Sequence, residues 1–118
     1  IRGEYLKIII SNNSKLSIKN IFNFSSNIST KYANKVINNI YSTIDSIKFM
    51  PYIGRYVPEI PLKSFRERLS ENYRIIYFIS EFDQTVYIKY IISSKQNSNF
   101  FFKVHKKELY DFFNKFFN

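Results

Sequence analysis

An apolar stripe with helical spacing runs through residues 30–50. Its members follow one another at intervals of 3, 1, 3, 1, 3 and 3 residues, and they are Ala33, Val36, Ile37, Ile40, Tyr41, Ile44 and Ile47. Because an α-helix turns once in about 3.6 residues, these side chains share one face. Thr30 stands where a helix cap is expected, and Pro51, which lacks an amide hydrogen, ends the segment. The pattern predicts a long amphipathic helix that buries this stripe.

A shorter helix and a strand are predicted before it. Ser14 is the expected N-cap of a helix that reaches about Phe24, with Ile18, Ile21 and Phe22 on one face. Only a few residues separate the two helices, so they should form an antiparallel hairpin. The run "EYLKIII" (4–10) is short, β-branched and followed by the breaker run "SNNS", which predicts a first strand.

The second half of the chain predicts mainly strands. All three prolines lie in "PYIGRYVPEIPL" (51–62), which is expected to be a loop. Strands are predicted over 64–69, 73–80 and 85–93, with turns at 70–72 and 81–84 that make an antiparallel meander. A last amphipathic helix carries Leu109, Phe112, Phe113, Phe116 and Phe117. The predicted fold is therefore α+β, in the order β-α-α-β-β-β-α, and 118 residues suffice for a single domain, 1–118.

The composition excludes several classes of site. The chain has no cysteine, so it holds no disulfide, no thiolate zinc site and no cysteine nucleophile. No segment reaches the roughly 18 apolar residues of a membrane span, and "IRGEYLKIII" is too polar for a signal peptide. We therefore expect a cytoplasmic protein with no metal, no small-molecule cofactor and no membrane association.

The distribution of arginine is more informative than the net charge of +9. The chain contains 19 Ile, 13 Lys and 13 Asn, which is the usage of an AT-rich genome, so part of the lysine surplus reflects codon bias. By contrast, Arg66, Arg68 and Arg74 are three of only five arginines, and Arg55 lies close before them. This cluster favours an anionic partner such as nucleic acid, the ribosome or an acidic protein.

Three segments in this order, "GRYVPEI" (54–60), "FRERLSENYRIIYFI" (65–79) and "TVYIKYIISSK" (85–95), resemble the RelE/ParE superfamily of toxins from bacterial type II toxin–antitoxin modules. The resemblance covers almost the whole chain. It implies a small antiparallel sheet, joined by the first strand, with the helical hairpin packed on one face and a C-terminal helix. It also implies a small acidic antitoxin, which would wrap the domain and block the arginine face. The basic surface would attract such a protein, and the last helix exposes an apolar stripe unless something covers it.

In RNA-cleaving members an arginine at the position of Arg74 contacts the scissile phosphate, and a planar guanidinium fits a phosphate through two hydrogen bonds. Glu59 matches the proposed general base of one branch. The alternative is that Arg74 is satisfied by a carboxylate such as Glu59 or Glu67. Because Arg74 begins its strand, its side chain is expected outside the core.

Arg66 and Arg68 have the same strand parity, so they should project from one face. Together with Arg55 they are predicted to bind RNA backbone, although a solvated strand face is an equally good interpretation.

The loop after the last strand departs from the family. Many members have a histidine where this chain has Ser93, and Lys95 matches the first residue of a Lys-Arg pair in RelE-like members. Phe102 falls where those members have a tyrosine. Ser93 and Lys95 remain candidates for binding RNA, but the usual proton donors are missing. His105, the single histidine, is expected to be a surface residue of the last helix.

Two functions of different classes follow. The first is ribosome-dependent cleavage of mRNA in the A site, with Arg74, Arg66 and Lys95 supplying charge and Glu59 acting as a weak base. The second is ParE-like inhibition of DNA gyrase by protein contact, without catalysis, which the missing histidine and tyrosine favour. A decayed toxin that retains only antitoxin binding is a third possibility. The sequence leaves all three open.

Overall fold

The computed structural model describes residues 6–117, in which five strands form one sheet. They are β1 (Lys7–Ile10), β2 (Arg55–Tyr56), β3 (Phe65–Ser70), β4 (Tyr73–Ser80) and β5 (Thr85–Ser93), in the spatial order β1-β5-β4-β3-β2. β1 pairs with β5 in parallel, and the other pairs are antiparallel. The predicted meander is confirmed, with β3 shifted by one residue. Strand β2 was not predicted, and residues 4 and 5 of the first predicted strand lie outside the described residues.

The two N-terminal helices are α1 (Asn12–Ser25) and α2 (Thr30–Phe49). Their N-caps are Ser11 and Ser29, not the predicted Ser14 and Thr30. The Ser11 hydroxyl accepts a hydrogen bond from the backbone amide of Ser14, and the Ser29 hydroxyl accepts one from that of Tyr32. The hydroxyl of Ser14 is buried and donates to the carbonyl of Ile88, which fastens α1 to β5.

The helical hairpin packs on one face of the sheet, which we call the hairpin face. Most of the predicted stripe of α2 is buried there, with Ala33, Ile40 and Ile47 fully inaccessible. It packs in one core with residues of β4 and β5, namely Ile75, Tyr77, Ile79, Val86, Ile88 and Ile91. The alternation along β5 is broken between Ile88 and Ile91, where the register with β4 shifts. The predicted burial is therefore confirmed for five residues of the stripe, whereas Ile37 is half-buried and Tyr41 is 46% exposed.

The opposite face, which we call the second face, is covered by the end of the chain. The predicted last helix is in fact two helices, α3 (Ser98–Val104) and α4 (Lys106–Asn114). His105 lies between them at φ −96° and ψ 8°, outside helical geometry. Its ring stacks on Phe101 at 4.1 Å and its Nδ1 lies 2.9 Å from the Phe101 carbonyl oxygen, so it is part of the packing and not a free surface residue.

Most of the apolar stripe of the last helix packs against the sheet, whereas we expected it to be exposed unless something covered it; Phe117 remains 60% exposed. Leu109, Phe112, Phe113 and Phe116 pack with residues of β3, β4 and β5 in a second core. The Tyr90 hydroxyl also donates to Glu108 Oε1 at 2.5 Å. No helix within residues 6–117 combines the length and apolar character needed to cross a membrane.

Candidate functional site: a buried arginine–glutamate cluster

Arg74, the second residue of β4, lies inside the protein and not outside the core as predicted. It is 6% exposed. Its Nη1 and Nη2 donate to Glu59 Oε2 and Oε1 at 2.8 and 2.7 Å, and its Nε donates to Glu67 Oε1 at 2.7 Å. Each nitrogen of the guanidinium thus has a carboxylate partner. The alternative interpretation, in which glutamates satisfy Arg74, is the arrangement that the structure shows.

The strand register brings Glu67 to Arg74. Leu69 is opposite Arg74, and Glu67 is opposite Ile76, two positions further along the same face of the sheet. Glu67 is 2% exposed, so its charge requires partners. The second partner is Arg55, which is opposite Glu67 on β2 and donates from Nε to Oε2 at 2.5 Å.

Glu59 reaches the cluster from the loop between β2 and β3. The Ser98 hydroxyl, at the start of α3, donates to Glu59 Oε2 at 2.5 Å. The Arg74 guanidinium carbon also lies 5.9 Å from the centre of the Phe102 ring, within cation–π range. Sequence reasoning missed Ser98, because nothing local to it indicates that α3 approaches this loop.

The two principal charges stabilise each other. The hydrogen bonds from Arg74 lower the pKa of Glu59 to about 2, against the opposing effect of burial, and the bond from Ser98 adds to the lowering. The bonds to Glu59, and then those to Glu67, raise the pKa of Arg74 above its ordinary value despite burial. A carboxylate with such a low pKa is a poor proton acceptor near neutral pH.

Arg66 and Arg68 project from one face, as predicted, but that is the opposite face from Arg74 and Arg55. Arg66 donates to the Gly54 carbonyl at 2.8 Å and lies 4.4 Å from the centre of the Tyr56 ring. Arg68 donates to the Ser46 hydroxyl of α2 at 3.3 Å. The predicted grouping of Arg55 with Arg66 and Arg68 is therefore wrong, and Arg66 does not add charge to the Arg74 cluster.

Ser93 is the last residue of β5, and Lys95 lies in the turn that follows. The Ser93 hydroxyl accepts the Lys95 backbone amide at 3.2 Å, while the Ser94 amide donates to the Asn72 carbonyl at 2.7 Å. This places the turn beside the start of β4, and the Lys95 side chain is exposed to solvent. Within residues 6–117, no three His, Asp or Glu side chains are grouped as metal ligands would be.

Gly54 fixes the loop that carries Glu59. A Cβ at this position would lie 2.2 Å from the Tyr77 hydroxyl and 2.7 Å from the Glu67 carbonyl oxygen. The Tyr77 hydroxyl itself donates to the Pro51 carbonyl at 2.6 Å, so it has little freedom to move.

We expect Gly54→Ala to lower the free energy of unfolding by about 1–3 kcal/mol through overpacking, measured by urea denaturation. Ser94→Ala, in an exposed turn, is the control, and equal stability of the two variants would contradict this reading.

The lowered pKa of Glu59 predicts a dependence of stability on pH. Glu59 titrates near 2 in the folded protein and near its ordinary 4.5 when unfolded, so it contributes stability above about pH 4.5 and loses that contribution as the pH falls toward 2. Glu59→Gln should therefore flatten the fall in thermal midpoint over this range. Glu71→Gln, at an exposed carboxyl, is the control. An unchanged acid limb in Glu59→Gln would show that the ion pair does not form in solution.

The family model of the ParE toxin of the type II toxin–antitoxin system parDE matches residues 8–98. The chain belongs to the ParE toxin family. The matched residues contain the whole sheet except the first residue of β1, together with the hairpin and the loop that carries Glu59. The match ends where α3 begins, so most of α3 and all of α4 lie beyond it.

Solved structures share the fold of this toxin. A chain of the chromosomal ParDE toxin–antitoxin system from P. aeruginosa superposes with a TM-score of 0.63 at 12% identity, covering 75% of the toxin and 95% of that chain. A chain of the RelBE2 toxin–antitoxin complex from Mycobacterium tuberculosis gives a TM-score of 0.57 at 12% identity, covering 75% and 98%. No curated protein sequence matches the toxin significantly. The predicted membership of the RelE/ParE superfamily is confirmed.

Proposed function

We propose that this toxin inhibits DNA gyrase through protein–protein contact and does not cleave RNA. The observation that carries the proposal is the set of hydrogen bonds made by the Arg74 guanidinium. Its three nitrogens bind Glu59 and Glu67, so no nitrogen of the guanidinium is left without a carboxylate partner. To bind a scissile phosphate through two hydrogen bonds on one edge of the guanidinium, Arg74 would have to release at least one of these carboxylates.

The charges around Arg74 also cancel. Arg74 and Arg55 carry two positive charges, and Glu59 and Glu67 carry two negative charges, so the cluster is neutral overall. Cleavage of RNA needs positive charge directed at the developing negative charge of the pentacoordinate phosphorus. A neutral cluster with a carboxylate pair on its arginine is poorly suited to stabilise that charge.

Glu59 and His105, the two candidates for proton transfer, are poorly placed for it. Glu59 has a pKa of about 2, and His105 is stacked on Phe101 with Nδ1 at the Phe101 carbonyl. General acid–base catalysis works best with groups that titrate near the working pH. These observations favour a binding toxin over the mRNA endonuclease that the arginine cluster first suggested.

The surface near β2 has the character of a protein interface. Tyr52, Ile53 and Tyr56 are 50%, 57% and 46% exposed, and Arg66 lies against the two tyrosine rings. Tyrosine and arginine are enriched at the centres of protein interfaces. A surface of this kind supports contact with a protein target.

Plasmid topology in growing cells tests the proposal. Induction of the toxin should relax plasmid DNA before growth stops, while full-length mRNA persists by northern blot. Co-expression of its antitoxin, expected to be a small acidic protein, should restore supercoiling. Rapid loss of mRNA with unchanged plasmid supercoiling would support ribosome-dependent cleavage instead.

A further inference from the structure

An open depression of about 310 Å³ lies between the loop that carries Glu59 and the two C-terminal helices. Its floor includes Ile60, Phe102 and Leu109, all apolar, and its rim includes Lys103, Lys106 and Tyr110. An adjoining depression along the same helices shares these three rim residues. We call the two together the α3–α4 groove.

The charge of the groove is positive and largely uncompensated. Lys103 and Lys106 form no ion pair with any carboxylate in residues 6–117. Glu59, the carboxylate at the edge of the groove, is already bound by Arg74 and Ser98. Of the other charged residues, Lys107 and Asp111 pair with each other at 2.8 Å. An occupant therefore meets an apolar floor and two lysines available to bind anions.

We propose that the α3–α4 groove binds an acidic amphipathic segment of the antitoxin, placing an apolar side chain on the floor and carboxylates against Lys103 and Lys106. The proposal rests on the assignment of this chain as a toxin with an acidic antitoxin. Complementarity of charge with a chain of net charge +9 favours such a segment over a neutral or basic one.

The position of the groove adds a consequence for specificity. The family match ends at residue 98, whereas α3 begins at Ser98, so the lysine rim lies beyond the residues that the family model matches. An antitoxin that binds this rim contacts residues outside the segment that the family model matches. The groove therefore contributes to the choice of the cognate antitoxin over antitoxins of related systems.

The test measures the affinity of the toxin for the acidic protein encoded beside its gene. We expect Lys103→Glu with Lys106→Glu to weaken binding by about 100-fold, because like charges would face each other in the groove. Lys31→Glu with Lys35→Glu, two exposed positions on α2, changes the net charge equally and controls for long-range attraction. It should weaken binding by less than about 10-fold, since α2 covers the face of the sheet opposite α3 and α4, and interactions between exposed charges are screened by salt.

A second pair of variants tests shape without changing charge. Asn99 lines the groove, so Asn99→Trp should obstruct it and weaken binding. Phe100→Trp, at a neighbouring position that is 64% exposed and not part of the lining, should bind normally. Thermal unfolding of all four variants verifies that they fold.

Equal loss of affinity in the two charge-reversal variants, or normal binding by Asn99→Trp, would overturn the groove proposal. Failure of any acidic neighbouring protein to bind the unmodified toxin would overturn it as well. The result is separable from the proposed target, because each free variant is also assayed against gyrase. A toxin that does not inhibit gyrase but shows the contrast between groove and control variants would refute the target and leave the groove in place.

Discussion

Arg74→Ala is expected to lower the free energy of unfolding by about 3–5 kcal/mol, because it removes one partner of a buried ion-pair cluster. Glu67, whose side chain is fully inaccessible, would keep only Arg55, and Glu59 would lose both hydrogen bonds from Arg74 and keep the one from Ser98. A buried charge without its partner keeps its desolvation cost and loses the compensating attraction. Chemical denaturation of the purified variant measures the loss.

The control for Arg74→Ala is Arg55→Ala. The Arg55 side chain is 63% exposed although it binds the same Glu67, so its removal should cost about 0–1 kcal/mol. Arg74→Lys should recover only part of the stability, because one ammonium cannot bind both oxygens of Glu59 as the guanidinium does. If Arg74→Ala were as stable as the unmodified protein, the guanidinium would not stabilise the fold and would be available to bind phosphate.

Phe78→Ala, a separate variant, is expected to lower the free energy of unfolding by about 3–5 kcal/mol, because it opens a cavity in the second core. Phe78 is 1% exposed, and its ring centre lies 5.1 Å from that of Phe65, 5.2 Å from Phe112 and 4.9 Å from Phe116. It therefore joins the sheet to α4. Hydrogen exchange should show the greatest loss of protection in α4, beyond the global change.

Phe82→Ala makes the same chemical change at a position that is 98% exposed. It should alter stability by less than about 0.5 kcal/mol, since substitutions at exposed positions without special contacts are usually nearly neutral. Similar losses for Phe78→Ala and Phe82→Ala would mean that α3 and α4 do not pack on the second face in solution.

The elements with strong periodicity could be predicted from the sequence. The stripe of α2 follows a 3.6-residue period over four turns, and β4 and β5 are β-branched and aromatic runs bounded by turn residues, so local patterns determine them. The caps were wrong by three residues in α1 and one in α2, because several serines, threonines and asparagines adjoin each start. β2 is too short, at two residues, to leave any pattern.

The environment of Arg74 could not be predicted, because it depends on contacts between distant segments. Glu67 approaches through the register of β3 and β4, Glu59 through a loop fixed by Gly54 and Tyr77, and Ser98 through the packing of α3. The sequence supplied Glu59 and Glu67 as candidate partners but did not determine whether they or a phosphate would bind the arginine. For the same reason, the apolar stripe of α4 indicated a helix without indicating what it covers.

The most direct test compares two activities of one preparation of purified toxin. DNA gyrase is assayed for supercoiling of relaxed plasmid, and translating ribosomes are assayed for cleavage of mRNA in the A site, over the same range of toxin concentration. We predict that supercoiling is inhibited and that the mRNA stays intact. Cleavage of A-site mRNA at toxin concentrations that leave supercoiling unaffected would contradict a mechanism of binding alone.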